Sequence, residues 1–212
     1  MVTNSGAHRE AGRPRLYQDA DIFAATSAVL AEHGLHRLTL GAVAEQLGCT
    51  AQALIRRFGS RQGLLLGHLV WVTDDSARSY EQLRSKYDSP LEAFRTGYIF
   101  PQTPARIVQP SPAAYANFLV FGIETGLDPV LRAELDRRER IYHENLADSV
   151  RAAIAAGELG GCNPDDIAFL LLSAGSGAIM RWTANPVGPP QDLIARVFDA
   201  IIAPYLVKTT RP

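Results

Sequence analysis

Polar and basic side chains between Thr39 and Arg61 have the types and spacing that suit binding of a polyanion. Arg56 and Arg57 are adjacent, and Arg61 follows four positions later. Thr39 and Thr50 each precede a short stretch of helical periodicity, where a hydroxyl can accept a hydrogen bond from a free backbone N–H. Guanidinium groups and helix N-termini are frequent partners of phosphate. The pattern therefore predicts contacts to DNA and no covalent chemistry.

Two short helices joined by a tight turn must position these groups. The first helix has an apolar stripe at helical spacing, made of Leu40, Val43, Ala44 and Leu47. Gly48 follows it and suits a left-handed residue at the end of a helix. The second helix covers residues 51–58, about two turns. Leu54 and Phe58 are four positions apart, so both are expected to face the core.

The other faces of the second helix are the expected contact surface in a DNA major groove. Residues near its N-terminus would contact base edges, and its arginines would contact phosphate. The candidate DNA-binding residues of this unit are Thr39, Thr50, Ala51, Gln52, Ile55, Arg56, Arg57 and Arg61. The alternative is an ordinary helical corner. It is disfavoured because the caps, the stripe, the glycine and the basic end all agree.

The unit resembles the tetracycline-repressor (TetR) family, whose turn and recognition helix follow the pattern G-V-S-x-G-A-L-Y-x-H-F-x-S-K-E-x-L. Here residues 48–64 are GCTAQALIRRFGSRQGL, and the preceding TLGAVA is similar to the family's T-V-x-x-I-A. Gln52 replaces a usual glycine, Ile55 an aromatic residue that touches DNA, and Arg57 a histidine or tyrosine. The missing tyrosine hydroxyl removes one expected contact, for which Arg57 is the charged substitute. The DNA sequence that is bound therefore stays open.

The resemblance implies a homodimeric, cytoplasmic transcriptional regulator with an all-α fold, most simply a repressor. A three-helix helix-turn-helix domain over residues 18–62 would precede a larger helical domain, 63–212, for effector binding and dimerisation. Helices over 128–157 and 165–182 occupy the places of the family's dimer helices. Because one short helix contacts only a few base pairs, two copies about 34 Å apart would bind a palindromic operator in double-stranded DNA.

The first 17 residues are expected to form a flexible basic arm. Arg13 and Arg15 flank Pro14 on a stiff, extended piece of chain. Such arms contact the minor groove or phosphate in other DNA-binding proteins. A solvated tail is the alternative.

Aromatic residues around a proline-rich segment mark a possible effector cavity in the larger domain. The segment 100–112 contains four prolines, which interrupt regular helix. The remaining predicted helices are 19–34, 62–88, 91–98, 113–125, 130–157, 165–182 and 191–205. The candidate effector-binding residues are His68, Trp71, Tyr98, Phe100, Phe118, Phe121, Tyr142 and Trp182. An ordinary core with an irregular loop is the alternative, but the resemblance favours a cavity for an unknown small molecule.

Composition and motifs exclude several other classes. Twenty-one basic and 22 acidic residues give a net charge of −1, so any DNA affinity must come from a local patch. No P-loop, G-x-S-x-G, H-E-x-x-H or C-x-x-C motif is present, so no catalytic residue and no cofactor are expected. His33 and His36 straddle Gly34, and no metal site is expected there. Cys49 and Cys162 belong to different predicted domains, which fits a reduced compartment.

The longest apolar run, residues 167–180, predicts a buried helix. It is shorter than the roughly 20 residues of a membrane span, and no membrane association is expected. Its small residues, 173–178, would allow another helix to approach closely. Two further classes stay open: an effector-independent DNA-binding protein, and a helical ligand-binding or enzymatic protein without operator function, as the departures at Gln52 and Ile55 allow.

Overall fold

The computed structural model describes residues 17–100 and 111–207, and these form helices without β-strands. The helices are α1 (Asp19–Arg37), α2 (Leu40–Leu47), α3 (Ala51–Phe58), α4 (Arg61–Arg84), α5 (Pro90–Ile99), α6 (Pro112–Gly126), α7 (Pro129–Ala155), α8 (Pro164–Ala184) and α9 (Pro190–Ile202). A 3-10 turn, Ala203–Tyr205, follows α9. The predicted all-α class is confirmed. The basic arm, including Arg13 and Arg15, lies outside the described residues.

Short polar caps set the starts of four helices in the larger domain. Each cap accepts a hydrogen bond from a backbone N–H of the first turn and is followed by proline, which needs no such bond; the caps are Ser89, Ser111, Asp128 and Asn163. These local signals explain why the predicted starts lie within one residue of the observed ones.

Two helices end three or four residues before their predicted ends. The helix expected to reach residue 88 stops at Arg84. Just after this end, the Ser85 hydroxyl donates to the Gln82 carbonyl. The helix expected to reach Tyr205 ends at Ile202. Pro204 has no N–H to donate, so the last residues form the tighter 3-10 turn.

The first hydrophobic core joins the helix-turn-helix domain to the larger domain. It contains buried side chains of α1 to α4, such as Leu30, Val43 and Leu64, and also Phe121 of α6 and Leu131 of α7. Because the core crosses the predicted boundary at residue 62, the two domains are packed together and are not joined by a free linker.

Gly34 shapes the contact between α1 and α6. Its φ of 73° bends α1 where the sequence predicted a stop, and one further helical turn follows. A Cβ there would lie 3.0 Å from the Asn117 Oδ1 atom on α6. The Asn117 side chain also donates to the Ala31 carbonyl at 2.8 Å. The glycine thus permits a close, hydrogen-bonded contact between the domains.

The second core lies between α5, α7, α8 and α9. Its largest fully buried side chains are Leu146, Leu159, Ile167, Leu171 and Phe198. The helix α8 contributes only one face to it, because Phe169 and Met180 are 64% and 61% exposed. The expectation that α8 is a buried helix is therefore wrong for half of its surface. By length and composition α8 is also the one helix in the described ranges that could cross a membrane, which is weak evidence for a span.

Candidate DNA-binding site and effector cavity

The turn between α2 and α3 has the predicted geometry. The Thr39 hydroxyl accepts from the Ala42 N–H at 3.0 Å, so its role as a cap is confirmed. Gly48 ends α2 in the left-handed conformation, with φ 69°. Thr50 stands at the cap position of α3, but its side chain forms no cap hydrogen bond. The Thr50 hydroxyl is therefore available to a partner outside the domain.

The helix α3 presents a mixed polar and apolar face to solvent. Leu54 is buried in the first core, whereas Gln52, Ile55 and Arg56 are exposed. An amide can bond to adenine, an apolar side chain can contact a thymine methyl, and a guanidinium can bind guanine or phosphate. Arg56 forms no ion pair or hydrogen bond within the described residues. This face has the chemistry of a major-groove surface.

Arg57 points away from that face and holds the start of α1. One guanidinium nitrogen donates to the Tyr17 carbonyl at 3.0 Å, and another forms an ion pair with Asp19. Only 24% of the Arg57 side chain is exposed. The contacted residues are about 40 positions away, so the basic pattern of α3 could not reveal this bond. In the free chain, Arg57 is a bridge between helices.

Arg61 also has an internal role. Its guanidinium donates to the Leu35 and Leu38 carbonyls, both at 2.6 Å, and so satisfies the C-terminal end of α1. By contrast, Arg37 is exposed and has no ion pair within the described residues. It stands two residues before Thr39. A basic residue just ahead of a threonine cap was the signal that could have marked it as a candidate phosphate contact.

A tight turn fixes α3 to α4. Ser60 caps α4 by accepting from the Gly63 N–H at 3.1 Å. A Cβ at Gly63 would overlap the Phe58 carbonyl oxygen, so only glycine fits there. Any displacement of the first turn of α4 must therefore move the end of α3.

A cavity of about 320 Å³ lies in the larger domain between α4 and α9. Its wall is mostly apolar, with leucine and isoleucine side chains from α5 to α9. Four tyrosines also line it: Tyr80, Tyr98, Tyr115 and Tyr142. Arg138 is the only charged residue in this wall within the described ranges. A concave, mostly apolar space with a few polar groups is typical of a small-molecule site.

The tyrosine hydroxyls are neutral groups with different partners. The Tyr98 hydroxyl donates to the Leu171 carbonyl at 2.7 Å. Burial raises the pKa of Tyr98 to about 12, so this hydroxyl stays a protonated donor at neutral pH. Burial also raises the pKa of Tyr80 above its usual value. Tyr142 shares a hydrogen bond of 3.2 Å with Ser76. The guanidinium carbon of Arg138 lies 5.0 Å from the centre of the Tyr142 ring, a cation–π contact.

The predicted effector residues divide between this cavity and other places. Tyr98 and Tyr142 line it, and Phe118 lines an adjoining groove of about 650 Å³ between α6, α7 and α8. Trp182 lies behind the wall, where it contacts Tyr115. The residues that line neither space are His68, Trp71, Phe100, Phe121 and Trp182.

The misplaced aromatic residues have identifiable environments. Trp71 and Phe121 pack in the first core, and Phe100 is exposed at the end of α5. The aromatic and charged cavity residues that the sequence did not single out are Tyr80, Tyr115 and Arg138. Helical periodicity alone assigns such residues to a core or a solvated face, because it cannot distinguish a wall from either.

His68 is buried in the contact between the two domains. It is 3% exposed, and its Nε2 atom shares a hydrogen bond of 2.8 Å with the Ser27 hydroxyl on α1. The Phe23 and Phe121 rings lie against it. Burial, with a smaller effect of the Arg138 charge, lowers the pKa of His68 to about 3. His68 is therefore a neutral packing residue at neutral pH.

Residues 22–67 match the family model described as bacterial regulatory proteins, tetR family. The match runs from the first turn of α1 to the start of α4, so it includes the whole helix-turn-helix unit. No curated protein sequence matches the chain.

Solved structures of transcriptional regulators share the fold of the whole chain. A TetR regulator from Haloarcula marismortui is 15% identical, with a TM-score of 0.73 over 89% of this chain and 98% of that one. A regulator from Saccharomonospora viridis in complex with choline is 16% identical, with a TM-score of 0.72 over 90% and 97%. The repressor of a Stenotrophomonas maltophilia multidrug efflux pump is 18% identical, with a TM-score of 0.63 over 93% and 94%. The chain thus has an N-terminal segment that matches the tetR family model, and it shares the fold of these transcriptional regulators.

Proposed function

We propose that the protein is a cytoplasmic homodimeric repressor that leaves a palindromic operator when a small molecule occupies the cavity between α4 and α9. The observation that carries this proposal is the path of α4. Its first turn is fixed to α3 by Ser60 and Gly63, and Ser76 and Tyr80 farther along line the cavity. One continuous helix therefore runs from the candidate DNA-binding surface to the candidate effector cavity.

Contacts of α1 and of the start of α4 with α6 and α7 support the same coupling. Asn117 on α6 donates to the Ala31 carbonyl, and Gln62 donates to the Asp128 carboxylate at 2.9 Å. An effector that binds better to the geometry unable to hold DNA would shift the population towards release. The relative from Stenotrophomonas maltophilia is a repressor, which favours repression as the output.

The exposed face of α8 is the best candidate for the dimer contact. Phe169, Leu170 and Met180 are exposed there, and small residues lie between them. Within one chain, only 28% of the most apolar 18-residue stretch of α8 is buried. Covering this surface with a second copy would remove apolar area from water.

The other helix proposed for the dimer, α7, has a different surface. Its exposed side chains are mainly charged, and several are paired, as in Arg132 with Asp136 and Arg151 with Asp148. Paired, solvated charges gain little from a partner surface. We therefore place α8 at the centre of the interface and α7 at its margin.

The test is fluorescence anisotropy with DNA from upstream of the protein's own gene, at physiological salt and with excess non-specific DNA. We expect Arg56→Ala to weaken operator binding and to lower the salt dependence by about one counterion, because Arg56 is the unpaired cation of α3. Arg140→Ala, which removes an exposed arginine of α7, is the control. Equal affinity of all three proteins would rule out the assigned surface.

Arg57→Ala separates DNA contact from domain integrity. Because Arg57 binds Asp19 and the Tyr17 carbonyl, its loss should lower the free energy of unfolding by about 1 kcal/mol. Arg56→Ala should leave that free energy nearly unchanged. Urea unfolding of the two variants measures the difference. An unfolding curve of Arg57→Ala that matches that of the unmodified protein would contradict the structural role of Arg57.

A further inference from the structure

We propose that the effector is a small hydrophobic carboxylate whose anionic group binds Arg138. This inference rests on the proposed effector role of the cavity between α4 and α9. It goes further by naming the chemical class that the wall of this cavity selects.

The charge of the wall is the first argument. Arg138 is the only charged lining residue in the described part of the chain, and it has no ion pair there. Its neighbours on α7 are paired: Arg132 with Asp136, and Arg137 with Asp74 and Glu134. A half-buried cation without a counterion is costly, and a carboxylate would form a charge-assisted hydrogen bond with it. The wall therefore favours a ligand with a negative charge.

Unused donors beside the cavity are the second argument. The hydroxyls of Tyr80 and Tyr115 form no hydrogen bond within the described residues. Burial raises the pKa of both hydroxyls, so they remain protonated donors at neutral pH. Donors suit carboxylate oxygens, which only accept. Tyr98 is different, because its hydroxyl is already bound to the Leu171 carbonyl.

The rest of the wall defines the body of the ligand. Leu119, Leu146, Leu172, Ile179 and Ile194 surround the space with aliphatic side chains. Its volume of about 320 Å³ is near the lower end of the roughly 300–1,000 Å³ that small-molecule sites span. An apolar skeleton of one ring or a medium-length chain fits this description.

A cationic ligand is the opposing hypothesis. Tyrosine rings form the cages that bind quaternary ammonium groups, and one structural relative was solved with choline. Here the cation–π position over Tyr142 is already occupied by the Arg138 guanidinium. With no carboxylate in the described wall, a second cation would be repelled. The charge of the bound ligand therefore distinguishes the two hypotheses.

The test is isothermal titration calorimetry of the full-length protein without DNA. The probes share one skeleton and differ in charge: 4-phenylbutyrate, its amide and 4-phenylbutylamine, with decanoate, decanamide and decylamine as a second set. We expect each carboxylate to bind at least about tenfold more tightly than its amide or amine. Arg138→Gln should lower carboxylate affinity by about tenfold to a hundredfold and leave amide affinity unchanged.

Two further variants make the result specific. Arg140→Gln removes an exposed arginine of the same helix that does not line the cavity, and it should change nothing. Arg138→Lys keeps the charge and should retain the preference for carboxylate over amide. Circular dichroism verifies that each variant is folded. Tighter binding of the amine, no carboxylate preference in either set, or carboxylate affinity indifferent to Arg138→Gln would overturn the proposal.

A measurement of DNA release distinguishes failure of the proposed function from failure of the proposed ligand class. Anisotropy with operator DNA measures release by the same probes. Carboxylate binding that depends on Arg138 but leaves DNA binding unchanged would support the ligand class and contradict the effector role. DNA release by the amine alone would contradict the ligand class and support the effector role.

Discussion

At the scale of single residues, neighbouring arginines of α3 have different tasks. Arg56 is exposed and unpaired within the described residues, whereas Arg57 binds the start of α1. Arg61 holds the end of the same helix. Two of the three cations that mark the helix-turn-helix unit thus orient the helices of the domain. Among the described arginines of this unit, Arg56 and the exposed Arg37 have no ion pair and are the candidate contacts to DNA.

His68 makes a prediction about acid sensitivity. Its pKa is lowered from 6.5 in the unfolded chain to about 3 in the fold. Between these values the unfolded state binds a proton that the folded state does not. The contribution of neutral His68 to the free energy of unfolding is therefore complete above pH 6.5. It is lost as the pH falls towards 3, by up to about 1.4 kcal/mol per pH unit.

Replacing the buried pair tests this slope. We expect a double variant, Ser27→Ala with His68→Leu, to lose less free energy of unfolding between pH 7 and pH 5 than the unmodified protein does. The reason is that no buried histidine remains to be protonated on unfolding. Urea unfolding at the two pH values provides the measurement. Ser27→Ala alone keeps the histidine and should keep the slope. Parallel loss in the double variant and the unmodified protein would exclude His68 as the source.

At the scale of elements, the contact of α5 with α8 depends on one missing side chain. A Cβ at Gly175 would lie 2.5 Å from the Tyr98 hydroxyl, which donates to the Leu171 carbonyl. The glycine therefore lets a tyrosine reach the backbone of α8, and this contact forms part of the cavity wall. The close packing of these two helices therefore also shapes the candidate effector cavity.

Gly175→Ala should therefore destabilise the protein despite the better helix propensity of alanine. We expect a loss of about 1 kcal/mol in the free energy of unfolding, because Tyr98 must move and gives up its hydrogen bond. Gly122→Ala, in the middle of α6 with open space around it, should instead gain up to about 1 kcal/mol. Thermal unfolding measures both changes.

A double-mutant cycle identifies the cause of the Gly175 effect. In a Tyr98→Phe background the hydroxyl is absent, so Gly175→Ala should cost less than it does alone. The same cost in both backgrounds would place the conflict elsewhere in α8.

At the scale of the whole molecule, the shared first core couples the two domains. Phe121 and Leu131 from the larger domain pack with Leu30 and Leu64 of the helix-turn-helix domain. Burial in one core means that α6 and α1 cannot slide independently without exposing apolar area to water. The proposed coupling between effector and DNA runs through this core as well as through α4.

The dimer proposal makes a prediction at this scale. Phe169→Asp with Met180→Asp places two charges on the exposed apolar face of α8, where a partner chain would have to bury them. We expect a monomer with unchanged helix content and much weaker operator binding. Sedimentation equilibrium measures the mass. Glu144→Ala on the charged face of α7 is the control, and a dimer that survives the double substitution would place the interface on another surface.

Local signals in the sequence predicted the helix-turn-helix unit correctly. The Thr39 cap, Gly48 and the stripe of α2 are properties of a few adjacent residues, and α3 was predicted with its observed bounds, Ala51–Phe58. The proline-marked starts of α5 to α8 are local in the same way. Helix ends without such a signal, as at Arg84, were predicted less well.

The sequence by itself thus determined the all-α class, the order of the helices and the family resemblance, because capping and periodicity act within one or two turns. Only the tertiary structure decided the destinations of side chains. Arg57 meets Tyr17 at a separation of 40 residues, and His68 meets Ser27 at 41. Arg138 became a cavity residue because α4 and α8 pack beside α7. Such neighbours depend on how helices approach each other, and the periodicity of one helix carries no information about that approach.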